Sequence, residues 1–117
     1  MPAIPDGVAG AVITGWGTAL PPKILTNDDL AGMMDTSDEW IRERTGIKER
    51  RVGGTTAGLS VEAARKAIEM SGVDPARIDA LVLATTTPDR TVPATAPTVQ
   101  NELSLRCGSF DVNAACS

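Results

Sequence analysis

Two apolar runs of strand length, "ALVLATTT" at residues 80–87 and "SFDVNAA" at 109–115, are joined by a proline-punctuated loop and a single helical pattern. A run that is continuously apolar, rather than apolar at alternate positions, is expected of a strand buried on both faces of a parallel sheet. The connection "TPDRTVPATAP" leads into a helix near Ala94 to Leu105, entered through Pro93 or Pro97. Strand, crossover helix and strand make a right-handed βαβ unit, which predicts the two runs as parallel neighbours. Composition agrees, because one Phe, two Trp and no Tyr leave a core of Ala, Val, Ile and Leu. Such a core suits an α/β layer structure better than an antiparallel sandwich.

Upstream, "VAGAVITGWGTA" from Val8 to Ala19 reads as a first strand that ends at a Gly15 to Gly17 turn. Pro21 and Pro22 then impose an extended connection through "TALPPKILTNDDL". Thr26 and Asp29 form a Thr-x-x-Asp capping pattern that opens a short helix through Met33 or Met34. Ser37 caps a second helix, "DEWIRERTG", with acids in its first turn, arginines in its last and Gly46 as its stop. A basic segment running into a Gly/Thr loop, "IKERRVGGTTAG", precedes a helix predicted from Ser60 to a stop at Gly72. "VDPARID" is a turn with a short helical piece.

Several function classes are excluded early. Fifteen acidic against eleven basic residues give a net charge of -4, which argues against non-specific nucleic-acid binding. No apolar run approaches the roughly 18 to 20 residues of a membrane span, and "MPAIPDGVAG" lacks the pattern of a signal peptide. A cytoplasmic protein is the expectation. Two cysteines and no histidine cannot complete a common zinc site, so no metal is expected and any role of the cysteines is thiol chemistry. "GWGTAL" has Leu20 where a dinucleotide fingerprint needs its third glycine, and the following prolines prevent the required helix start.

In an open α/β sheet, reactive groups sit where a strand ends and the next helix begins. Cys116, just after "FDVNAA", occupies such a position, and Ala114 and Ala115 leave room for a tight turn and a substrate. Helix amides there would lower a thiol pKa to roughly 3.5 to 7.5 and could serve an oxyanion. Position alone fits a small buried apolar cysteine equally well. Cys107, before the strand, reads as an inert structural thiol, too far along an extended strand to bridge to Cys116. Trp40 and Arg44 stand four apart on a predicted helix and can sandwich a flat ring. Residues 42–51 hold five bases and two acids, a local +3 suited to phosphates, although a solvated charged face has the same composition.

"DTSDEWIRERTGIKER" at 35–50, "ATTTPDRTVPATAPTVQ" at 84–100 and "FDVNAACS" at 110–117 together resemble the β-ketoacyl-acyl carrier protein synthase III family, in order and in spacing. The resemblance runs from about Val12 to the last residue. It implies a thiolase-like fold, five layers (αβαβα) in the complete enzyme, with residues 1–117 forming most of a first half and the second half lying outside this chain. It also implies a decarboxylating condensation that initiates fatty acid synthesis. Cys116 would take a primer acyl group from acyl-CoA as a thioester, and a carbanion from malonyl-acyl carrier protein would attack it, giving a 3-oxoacyl-acyl carrier protein.

By the same resemblance, Trp40 stacks on the CoA adenine, with Thr36 and Arg44 at the nucleotide end. Val92 lines the acyl pocket from across the interface of a homodimer. No cofactor is implied, since the CoA thioester is a substrate. The family's decarboxylating histidine and asparagine belong to the second half, so residues 1–117 alone are expected neither to condense nor to fold stably. The alternatives are a related thiolase-fold acyltransferase of secondary metabolism and a non-catalytic thiolase-fold partner subunit.

Overall fold

In the computed structural model, residues 7 and 10–115 are described; Cys116, Ser117, Val8 and Ala9 lie outside them. The order is β1 (Lys23–Thr26), α1 (Asn27–Ala31), α2 (Asp38–Thr45), β2 (Glu49–Val52), α3 (Thr56–Ser71), β3 (Ala80–Ala84), α4 (Ala96–Glu102) and β4 (Gly108–Val112). A 3-10 turn at Pro75–Arg77 supplies the short helical piece in "VDPARID".

The predicted βαβ unit is present. β3 and β4 are parallel, with Ala80 opposite Gly108 and Ala84 opposite Val112, and α4 connects them. Leu81 and Leu83 on β3, and Ser109 and Asp111 on β4, are half-buried. The alternate residues Val82 and Phe110 are exposed, so this pair of strands is covered on one side only. α4 buries Ala96 and Val99, with Leu105 just after it. Complete burial of a side chain such as Val99 contributes roughly 1.5 to 3 kcal/mol. Gln100 fastens the helix to the start of β4. Its amide nitrogen donates to the carbonyls of Leu105 (3.2 Å) and Cys107 (2.9 Å), and its oxygen accepts from the Ser109 hydroxyl at 2.6 Å.

β1 and β2 form a separate antiparallel pair, Lys23 opposite Val52 and Thr26 opposite Glu49. Both fall in stretches read from sequence as an extended connection and a basic segment, because prolines and charge obscure their short alternating patterns. α3 begins one turn earlier than Ser60, since the Thr55 hydroxyl caps it by accepting from the Gly58 amide at 3.0 Å. Its stop at Gly72 (φ 66°) is as expected.

Residues 10–19, expected as a strand, form none. A strand needs a ladder partner, and this segment instead lies along α3. A Cβ on Gly15 would meet the Ala67 carbonyl oxygen and come within 2.8 Å of the Ser71 amide; one on Gly17 would meet the Ala63 carbonyl oxygen and lie 2.6 Å from Lys66 Cβ. The absence of both side chains lets backbone contact backbone. Lys66 Nζ donates to the Thr18 carbonyl at 2.8 Å, while Val12 and Ile13 face away and are exposed.

The radius of gyration is 18.4 Å, against about 13 Å for a compact domain of this length. No helix among the described residues is long and apolar enough to cross a membrane.

Candidate active site and nucleotide-binding helix

Two places bear on the residues singled out from sequence. The first is α2. Its N-cap is Ser37, whose hydroxyl accepts from the Trp40 amide at 3.1 Å, and its stop is Gly46 with φ 71°. Such a cap is worth about 1 kcal/mol. Ile41 is buried and fixes the inner face, which turns Trp40 outward.

Trp40 is 51% exposed, and the Arg44 guanidinium lies over its ring, 4.3 Å from the centroid. The predicted pairing therefore forms, with one difference. Arg44 already covers one face of the indole, so a flat ligand stacks on the other face or displaces the arginine. Arg42 is engaged with Asp38 at 3.2 Å and Arg51 lies 4.0 Å from Glu49, whereas Arg44 and Lys48 have no ion-pair partner among the described residues. Arg44, over the Trp40 ring, is thus a cation of this segment with no ion pair among the described residues. Thr36, immediately before the cap, has a buried hydroxyl oxygen without a hydrogen-bond partner.

A residue that sequence reasoning passed over holds this helix in place. Asn27 is 1% exposed. Its amide nitrogen donates to Asp38 Oδ1 and to the Ile47 carbonyl, each at 2.8 Å, and its oxygen accepts from Arg50 at 2.9 Å. One amide thus joins α1, both ends of α2 and β2. The Asn27 hydrogen bond, with Arg42 behind it, holds the Asp38 carboxyl below its usual range. A buried asparagine beside a capping threonine is visible only as one more helix-start polar residue, which is why its role escapes the pattern.

The second place is the carboxyl end of β3 and β4. A cavity of about 450 Å³ is lined there by Ala84, Thr85, Thr86, Val112, Ala114 and Ala115. In α/β sheets this edge is where ligands bind. The side chains are small, and the two threonines add hydroxyls. Cys116 follows Ala115 directly in the chain but lies outside the described residues. Val92, on the loop between β3 and α4, is 81% exposed and is not among the residues lining this cavity. Cys107 is half-buried before β4.

The chain is 54% identical over 111 residues to the β-ketoacyl-acyl carrier protein synthase III of Roseiflexus castenholzii, a match that covers 92% of this chain and 34% of that protein. Its fold superposes on the crystal structure of 3-oxoacyl-acyl carrier protein synthase III from Aquifex aeolicus with a TM-score of 0.86 at 44% identity, covering 92% of this chain and 36% of the other. Over 92% of its length the chain is thus similar, in sequence and in fold, to β-ketoacyl-acyl carrier protein synthase III enzymes.

A priming β-ketosynthase of a polyketide biosynthetic pathway is also similar, with a TM-score of 0.81 at 35% identity over 89% of this chain and 32% of that one. No protein-family model matches the chain. The chain spans about a third of the length of the curated synthase III relatives it matches. Its mixed α/β architecture is accordingly part of the thiolase-like fold of the synthase III enzymes.

Proposed function

We propose that this chain is part of the first half of a condensing enzyme that moves a primer acyl group from acyl-CoA to a cysteine and joins it to malonyl-acyl carrier protein with loss of CO2, initiating fatty acid synthesis. The observation that carries this reading is the 54% identity to a synthase III over 92% of the chain. The remaining two thirds of such an enzyme would cover the bare side of β3 and β4 and supply the decarboxylating groups. In this reading the enzyme is a cytoplasmic homodimer that needs no cofactor, because the chemistry resides in the thioester and the thiol.

Roles follow residue by residue. Cys116 is the nucleophile; it follows in sequence Ala114 and Ala115, which line the small-residue cavity, and helix amides beyond it would favour the thiolate and the oxyanion of the tetrahedral intermediate. Trp40 stacks on the adenine, Arg44 and Thr36 serve the nucleotide end, and Val92 lines the acyl pocket. The half-exposed indole under the Arg44 guanidinium, which has no ion-pair partner among the described residues, supports the nucleotide assignment. Trp40→Ala in the complete protein should raise KM for acyl-CoA about tenfold, the size of one lost stacking contact, with kcat nearly kept. An unchanged KM would remove Trp40 from the site.

Val92 is small for a position where some members of the family carry a bulky aromatic. Primers longer or more branched than acetyl should therefore react, and a primer panel in which only acetyl-CoA is used would refute this. The condensation itself is tested by following 3-oxoacyl product from acyl-CoA and malonyl-acyl carrier protein. Similarity to a polyketide priming synthase keeps a second reading, an acyltransferase of secondary metabolism, in view; a screen of acyl acceptors separates the two.

A further inference from the structure

Between β3 and α4, residues 86–93 are all exposed, so apolar packing does not fix this loop. Hydrogen bonds do. The Asp89 carboxylate accepts from the amides of Thr56 (2.7 Å) and Ala57 (2.9 Å), the first two of α3. The Thr56 hydroxyl returns a bond to the Thr87 carbonyl at 2.6 Å. On its other side, the Asp89 amide donates to the hydroxyl of Thr95 at 3.2 Å, and Thr95 is 1% exposed. Thr95 is fixed in turn by Asp111 of β4, which accepts from the Thr95 and Ala96 amides at 2.8 and 2.7 Å. Val92 lies midway between Asp89 and Thr95, three residues from each.

Asp89 therefore ties the loop to two rigid bodies at once, the start of α3 through its side chain and the βαβ unit through its backbone. α3 has no acidic residue in its own first turn, so Asp89 is the anion that serves its dipole from outside. Charge-assisted bonds of this kind are about twice as strong as neutral ones.

We infer that Asp89 is a positioning residue for primer selection: it fixes the exposed loop from which Val92 reaches the acyl pocket across the homodimer interface. This rests on the reading that Val92 lines the acyl pocket. Releasing Asp89 frees the loop, and misplacement by about 1 Å suffices to change reaction rates by up to about a hundredfold. Primers that reach far into the pocket feel the displacement more than acetyl does.

The test uses the complete protein and its Asp89→Ala and Asp89→Asn variants, with kcat/KM measured for acetyl-, butyryl- and isobutyryl-CoA, KM for malonyl-acyl carrier protein, and acyl transfer to the enzyme by intact mass. Asp89→Ala should shift the ratio of branched or longer primer to acetyl by about tenfold. Asp89→Asn should shift it less, because the carboxamide oxygen still accepts from the amides, and KM for the carrier-protein substrate should stay within about twofold of the parent in both. Unchanged primer ratios in an acylated variant, even one that melts earlier, would reduce Asp89 to a structural cap and overturn the inference. If Asp89→Ala does not fold, the Asp89→Asn ratio decides alone. A parent that accepts no acyl group from any acyl-CoA removes the primer reading itself, and the role of Asp89 with it.

Discussion

In the complete protein, Cys116→Ala should eliminate the acyl adduct formed on incubation with acyl-CoA and lower condensation by at least about a thousandfold, as expected when a covalent nucleophile is removed. No other thiol among the described residues can substitute. Cys107 precedes β4 and Cys116 follows it, and the five residues of that strand alone span roughly 16 Å. Intact mass after exposure to acyl-CoA reads the result directly: the parent gains one acyl group and the variant none. An adduct that persists in Cys116→Ala would place the nucleophile elsewhere and end the assignment.

The second large effect concerns stability. Gly17→Ala should destabilise the complete protein by roughly 3 kcal/mol, at the upper end of what overpacking costs. The new methyl would press on the Ala63 carbonyl oxygen, with Lys66 Cβ at 2.6 Å and the Ala67 amide at 2.8 Å. Two of these are helix backbone atoms, which cannot swing aside as a side-chain tip can. The segment must therefore lift from α3, loosening the bond from Lys66 to the Thr18 carbonyl. Denaturant unfolding of parent and variant measures the difference, and a change below about 0.5 kcal/mol, ordinary for a surface substitution, would contradict the close approach.

The parts of the fold that were legible in the sequence are those whose causes are local. Ser37 and Gly46 bound α2 because a hydroxyl and a left-handed residue act within one turn of where they stand. Thr26 and Asp29 do the same for α1, each accepting from the other's amide. β3 and β4 were visible from their apolar runs, and their parallel pairing follows from the helix between them. What was hidden depends on partners far along the chain. Asp89 caps a helix that begins 33 residues earlier, and Asn27 bonds to a residue 23 positions later. No spacing rule signals such contacts. Residues 10–19 mislead for a related reason: β-branched residues and glycines describe a strand, but pairing depends on a neighbour. Trp40 and Arg44 were found because both lie on one helix face, whereas Val92 owes its assignment to resemblance.

Asp111 has a consequence for the order in which the chain acquires structure. The Thr95 hydroxyl makes no cap bond to its own helix, and the amides of Thr95 and of Ala96, the first residue of α4, are satisfied instead by a carboxylate sixteen residues downstream of Thr95. During synthesis the crossover helix thus emerges without its cap, and gains it only when Asp111 appears, five residues before Cys116. The start of the crossover helix and the strand that precedes Cys116 in the chain are therefore tied together by one carboxylate.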